Sequence, residues 1–156
     1  MKRVLFVCSG NTCRSPLAEG IAKALLTTDR GLDVSVSSAG SSAIEGMRAS
    51  ELARDVAKSH EIDISNHRSR GLSRPLVAES DLIVTMEMRH LNAVGAIDPA
   101  ALDHTYVITD FCESMDGGIP DPIGGGEADY QRTFDVLWEC ISEMRERLLE
   151  FDGWKK

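Results

Sequence analysis

No stretch of the 156-residue chain reaches the ~18 consecutive apolar residues of a membrane span. The opening MKRVLFVCSG is interrupted too soon for a secretory leader, so a cytoplasmic location is expected. Basic residues are in deficit, with 17 Lys and Arg against 25 Asp and Glu and a net charge of −8. Such a surface repels polyanions, so neither nucleic acid nor a membrane is an expected partner, and a basic partner suits it better. The four cysteines come without a secretory signal and read as thiols rather than disulfides. Cys8 and Cys13 have a spacing found in zinc sites, but Cys112 and Cys140 are isolated along the chain. His60, His67, His90 and His104 form no close pair, so neither a metal nor another cofactor is expected. No repeat, low-complexity tract or linker interrupts the chain, and 42% hydrophobic residues suffice for one core. Residues 1–156 are therefore read as a single domain.

What is present reads as alternating strands and helices. Residues 3–8, RVLFVC, form a β-branched and aromatic run. After SGNTCR, Ser15 and Pro16 look like a serine N-cap with proline at the first helical position, and Leu17, Ile21, Ala24 and Leu25 continue a helix as far as Gly31. Further strands are expected over 33–38, 81–86 and 104–109, and helices over 48–60 and 87–95. The last helix carries a stripe of Tyr130, Phe134, Leu137, Trp138, Ile141, Met144 and Leu148, with Glu127 and Asp129 in its first turn. This order predicts an α/β fold, a parallel sheet wrapped by helices on both sides. Ligands of such sheets bind beyond the carboxyl ends of the strands. Two loops of unusual composition fall there: SGNTCR, and DGGIPDPIGGGEAD over 116–129.

A loop of small residues between a strand and a helix N-terminus gathers backbone N–H groups and the positive end of the helix dipole. No Gly-Lys-Ser/Thr follows it, which excludes a nucleotide P-loop. Instead Cys8 and Arg14 bracket five residues. The guanidinium fork can hold two phosphoryl oxygens, and the same positive field favours a nucleophilic thiolate at Cys8. Breaking a phosphoryl bond also needs an acid for the leaving group and a base for water. Asp-Pro is most often a turn, but the place of Asp121 on the active edge of the sheet makes it the candidate for that role.

CSGNTCRS at 8–15 after the first strand, SSAG at 37–40 and DPIGG at 121–125 before the last helix resemble the low-molecular-weight protein tyrosine phosphatases. The resemblance spans nearly the whole chain. It implies a four-stranded parallel sheet flanked by helices in three layers, with the phosphate-binding loop after the first strand, and a phosphocysteine intermediate on Cys8. Carried over residue by residue, it implies that Arg14 binds the phosphoryl oxygens and that Asp121 is the acid and then the base. Ser9, Gly10, Asn11, Thr12, Cys13 and Ser15 would line the phosphate loop, Ser15 with its hydroxyl on the Cys8 sulfur. Asn11 would brace the loop through Ser38 and His67, a solvated turn histidine being the alternative for His67. Cys13 matches the second loop cysteine, which can trap Cys8 in a reversible disulfide; a small packing residue is the alternative.

The sequence departs from the tyrosine-specific pattern around the loop. Ile123-Gly124-Gly125 and SSAIEGMRAS contain no aromatic residue to sandwich a phenol ring, and Thr12 stands where an apolar branched residue is common. Thr12 with DP-x-GG resembles the bacterial protein arginine phosphatase branch. A hydroxyl and a carboxylate suit a guanidinium better than a ring clamp. A phosphorylated protein is thus the expected substrate, with phosphoarginine favoured and phosphotyrosine the alternative. Arsenate reduction ranks third, because nothing lies between Cys13 and Cys112 to supply its cysteine relay. A non-catalytic phosphate-binding module is the remaining reading.

Overall fold

Five residues buried in succession, Val4 to Cys8, make the first strand the axis of the molecule. Along it the side chains alternate: Val4, Phe6 and Cys8 enter the larger hydrophobic cluster, while Leu5 and Val7 enter the smaller one on the other face. A strand buried on both faces reads as a continuous apolar run, as RVLFVC does. In the computed structural model, which describes residues 1–28 and 31–151, this strand, β1 (Lys2–Cys8), lies inside a four-stranded parallel sheet. Its other strands are β2 (Val34–Gly40), β3 (Leu82–Thr85) and β4 (Thr105–Val107), in the order β2-β1-β3-β4. Among the described residues no helix is long and apolar enough to cross a membrane.

Helices cover both faces. On one, α1 (Arg14–Ala22) packs against α2 (Glu51–Ser59) and the long α5 (Glu127–Leu149). On the other lie α3 (Arg74–Glu79) and α4 (Met88–Ile97). Because the chain leaves β1 for β2 on one side and later returns to place β3 on the other, the connections diverge at the carboxyl end of β1. That divergence opens the crevice where such sheets bind ligands.

Several expectations require correction. Helix α1 begins at Arg14 with Cys13 in the cap position, so Ser15 is not the N-cap and Pro16 is not the first helical residue. Proline is tolerated there because first-turn N–H groups have no intrahelical partner. Lys23–Thr27 continues α1 as a π-helical turn, whose extra residue shifts the buried stripe: Leu26 is buried and Ala24 exposed. The end of that helix near Gly31 abuts residues outside those described. Ile108 and Thr109 belong to a 3₁₀ turn over Ile108–Phe111 rather than to β4. Trp138, placed in the buried stripe of α5, is 40% exposed and stacks on Phe134, while Cys140 takes the interior position. Helix α3 and a 3₁₀ turn over Pro99–His104 were not expected.

Gly40, the last residue of β2, meets the loop after β1 so closely that a Cβ there would lie 2.4 Å from the Ser9 carbonyl oxygen and 3.0 Å from the Asn11 nitrogen. Both are backbone atoms of a pinned loop and have little room to yield. Gly40→Ala is expected to destabilise the fold by about 1–3 kcal/mol, read as a lower urea midpoint. An unchanged midpoint would show that the loop is free to retreat.

Candidate active site

β1 delivers Cys8 to the carboxyl edge of the sheet, and Ser9 to Cys13 curl from it into the N-terminus of α1. The turn depends on Asn11, which takes the left-handed conformation at φ 57° and is fully buried. Asparagine is among the few non-glycine residues that accept this conformation readily. Burial demands partners for its polar atoms. Asn11 Nδ2 donates to Ser15 Oγ at 2.8 Å and to Ser38 Oγ at 3.0 Å, and Oδ1 accepts from the Arg70 N–H at 3.0 Å. Its carbonyl oxygen accepts from His67 Nε2 at 2.7 Å, which sets His67 as an Nε2–H donor. Ser38 passes the network on to Glu19 Oε1 at 2.7 Å. Ser38 and His67 thus both touch Asn11 and hold the loop from outside.

Two groups address the Cys8 sulfur. Ser15 Oγ lies 2.9 Å from it, and the Asn11 N–H donates to it at 3.3 Å. Since Asn11 also donates to the Ser15 oxygen, the serine proton is directed at sulfur, an arrangement suited to a thiolate acceptor. The need to supply that proton explains why Ser15 turns back into the loop instead of capping α1.

Arg14 is 1% exposed. Its Nη1 donates to Glu87 Oε2 at 2.9 Å and to the Ile119 carbonyl at 2.8 Å. Nε and Nη2 have no hydrogen-bond partner among the described residues, although Nη2 lies 3.6 Å from Asp121 Oδ2. A buried guanidinium with one edge pinned and the other unsatisfied is built to receive an oxyanion. Asp121 sits over it on the loop before α5, its side chain 31% exposed and its Oδ1 accepting from the Ile123 N–H at 3.1 Å. That loop is anchored at its root. Gly118, at φ 89°, passes within 2.5 Å, measured from an added Cβ, of the Met86 carbonyl, and the Ile119 N–H bonds the same oxygen at 2.8 Å.

The remaining loop residues divide by exposure. Ser9, Gly10 and Thr12 are partly accessible and Cys13 is buried. The Thr12 carbonyl accepts from the Ser50 N–H at 2.9 Å, and its hydroxyl lies 3.9 Å from Cys13 Sγ. Cys13 Sγ contacts Tyr130 OH at 3.3 Å and Ser50 Oγ at 3.4 Å. Burial first, then the neighbouring Cys13, pushes the Tyr130 hydroxyl up to about 12, so it remains protonated beside the sulfur. All four cysteines are free. Cys112 and Cys140, isolated in sequence, are neighbours in space: burial and the Cys112 thiol push the Cys140 thiol well up. Cys112 also stands with Glu139 and Glu143 as a group of possible metal ligands, although none was expected, with Ser114 hydrogen-bonded to Cys112 at 3.3 Å and Glu139 at 2.8 Å.

Sequence reasoning missed Glu87, His90 and the part played by Tyr130. Glu87 follows β3, and its carboxylate joins Arg14 to Arg89. Burial alone would raise its pKa, but the hydrogen bonds from Arg14 and Arg89 prevail and leave it below the usual range. His90, 1% exposed, accepts from the Glu87 N–H at Nδ1 (3.1 Å), and its Nε2 lies 2.8 Å from Ser9 Oγ. The signal was the Glu-x-x-His spacing at the start of α4, which lets the His90 ring accept from the N–H of the N-cap residue.

The family profile of the low molecular weight phosphotyrosine protein phosphatases matches residues 3–151. The chain belongs to that family. It is a hydrolase, a low-molecular-weight protein phosphatase. The protein-arginine-phosphatase of Geobacillus stearothermophilus is 37% identical over 146 residues, 94% of this chain and 95% of that one. The low molecular weight protein-tyrosine-phosphatase Wzb of Salmonella typhi is 33% identical over 135 residues, 86% of each. Among solved structures, a cysteine-to-serine mutant of the YwlE arginine phosphatase with a phosphorylated active-site serine superposes with a TM-score of 0.90 at 28% identity. That match covers 97% of this phosphatase and 98% of YwlE.

Desolvation first, and the Arg14 cation second, push His90 down to about 4. A histidine whose folded pKa lies below its unfolded value supports the fold fully above pH 6.5 and loses that contribution as pH falls toward 4. Between pH 7 and 4.5 the native phosphatase should lose about 2–3 kcal/mol through this group. His90→Gln, compared by urea unfolding at both pH values, should lose less over the same interval by about that amount. Equal losses in the two proteins would place the titration elsewhere.

Proposed function

We propose that this phosphatase removes phosphoryl groups from protein arginine residues through a phosphocysteine on Cys8, the whole chain acting as one catalytic domain in the cytosol. The Cys8 thiolate attacks phosphorus while the P–N bond breaks, and the leaving guanidino nitrogen keeps the electron pair and takes a proton from the Asp121 carboxyl group. Water then attacks the phosphocysteine, Asp121 takes its proton, and the P–S bond breaks to release inorganic phosphate and regenerate the thiolate. Arg14 binds equatorial oxygens through Nε and Nη2, and the loop N–H groups and helix dipole complete the cradle. The observation that carries the reaction is the buried Arg14 pinned along one edge and unsatisfied along the other beside Cys8. The phosphoserine form of YwlE supports a phosphoryl group resting on Cys8.

Phosphoarginine is supported by what borders the cradle. Thr12 offers a partly accessible hydroxyl, Asp121 a carboxylate, and Ile44 and Ile123, 73% and 69% exposed, stand on bordering loops that contain no aromatic residue. The arginine phosphatase from Geobacillus stearothermophilus is itself a near full-length relative. Cys13, held by Tyr130 and Ser50, is the proposed partner of Cys8 in a protective disulfide under oxidation.

Two variants separate the reaction from its specificity. Asp121→Ala should slow hydrolysis by ~10²–10⁴, with a smaller loss for leaving groups that need no proton; equal losses across leaving groups of different basicity would make Asp121 structural. Thr12→Ile should lower kcat/KM on phosphoarginine peptides by about ten- to a hundredfold, the loss of a hydrogen bond to a charged group, while phosphotyrosine activity holds or rises. A parent enzyme that prefers phosphotyrosine peptides, or a Thr12→Ile variant in which both activities fall together, would reassign the substrate to phosphotyrosine.

A further inference from the structure

His90 is a wholly buried imidazole whose two nitrogens are both engaged, one by its own helix cap and one by the residue next to the nucleophile. The backbone N–H of Glu87 can only donate, so Nδ1 must present a lone pair and the single ring proton must sit on Nε2. The contact at 2.8 Å therefore runs from His90 Nε2–H to Ser9 Oγ. A hydroxyl has one proton and two lone pairs; with a lone pair filled by His90, the Ser9 proton remains to be given. Among the described residues His90 is the sole hydrogen-bond partner of that hydroxyl.

We propose that His90 is a positioning residue that orients the Ser9 hydroxyl as a donor to the phosphoryl group bound above Cys8. Resting on the reading of the loop as a phosphoryl cradle, this adds a donor that neither the loop N–H groups nor Arg14 provides. One helical turn then serves both ends of the loop. Glu87 Oε2 fixes Arg14 at its exit, and His90, three residues on, fixes Ser9 at its entrance. Protonating His90 would set an Nδ1–H against the Glu87 N–H and add a second cation near Arg14. The charged groups facing the ring are Arg14 of α1, Glu87 and Arg89 at the start of α4, and Asp121 of the acid loop. Neutral imidazole is thus the form the site is built around.

A double-mutant cycle with two independent readouts tests the proposal. In His90→Asn the amide oxygen can still accept from the Glu87 N–H, but the side chain no longer reaches Ser9; Ser9→Ala removes the other partner. Each should weaken vanadate inhibition and lower kcat/KM on an aryl phosphate by about five- to thirtyfold, and the double variant should lose no more than either single one. His90→Gln, whose amide N–H reaches the Nε2 position, should recover most of the loss. Additive losses, or a Ser9→Ala variant with the parent's vanadate affinity, would overturn the proposal and leave His90 as a packing residue. In the native chain, long-range ¹H–¹⁵N spectra should show His90 as the Nε2–H tautomer from pH 5.5 to 8. An Nδ1–H tautomer, or titration in that range, would also overturn it, whichever variants fold. Failure of the proposed reaction reads differently: a native chain that binds vanadate with the Ser9–His90 coupling intact but releases no phosphate would refute the reaction and uphold the orientation of Ser9.

Discussion

A buried guanidinium must find acceptors or leave the interior, because the desolvation of an unpaired charge exceeds what packing alone returns. Arg14 is 1% exposed, and most of the architecture of the site follows from satisfying half of it. Glu87 and the Ile119 carbonyl take one edge. The first of these draws the start of α4 against the loop, and the second fixes the root of the loop before α5, so the same guanidinium also sets where Asp121 stands. The other edge, Nε and Nη2, is left without a hydrogen-bond partner among the described residues, which is where the proposed reaction places the phosphoryl group. Binding an anion there completes a coordination that folding leaves partial, which couples substrate binding to the charge balance of the core.

Around this pair the loop is held by a second network, centred on Asn11. Asn11 supplies the left-handed turn and distributes its hydrogen bonds to Ser15, Ser38, Arg70 and His67. None of those partners needs to touch substrate. Their effect is rigidity, since a cradle of N–H groups stabilises a developing charge only if it need not reorganise during the reaction. Gly40 contributes by absence, allowing β2 to approach the loop backbone where a methyl group would force it away.

Much of this was legible along the chain, and the misreadings have identifiable causes. The first strand, the phosphate loop and the last helix were readable because each is encoded in contiguous residues with a strong period. Trp138 was misplaced because a stripe drawn by residue type favours large apolar side chains, whereas Cys140, small and easily overlooked, packs inside. Ala24 was misplaced because the π-helical turn changes the period itself, which a 3.6-residue template cannot register. The place of Ser15 before proline suggests a cap; competition from the Cys8 sulfur and the Asn11 amide, both supplied by the fold, redirects its hydroxyl.

The sequence by itself determined which residues are the candidates for nucleophile, phosphate clamp and acid. Cys8 and Arg14 lie on one loop whose strand and helix are specified locally, and Asp121 lies in a segment too polar and glycine-rich to belong to the core. Tertiary structure alone decided what holds them in place. Arg14 meets Glu87 across 73 residues, Ser9 meets His90 across 81, and Cys13 meets Tyr130 across 117. Such partners have no signature at their own positions: a glutamate after a strand or a buried tyrosine on a helix reads the same whatever it faces. Only the parallel sheet, by bringing the carboxyl ends of β1 and β3 side by side and laying α5 across α1, gives those residues their neighbours. Their chemistry follows from that proximity, through burial that makes each hydrogen bond obligatory and each unpaired charge expensive.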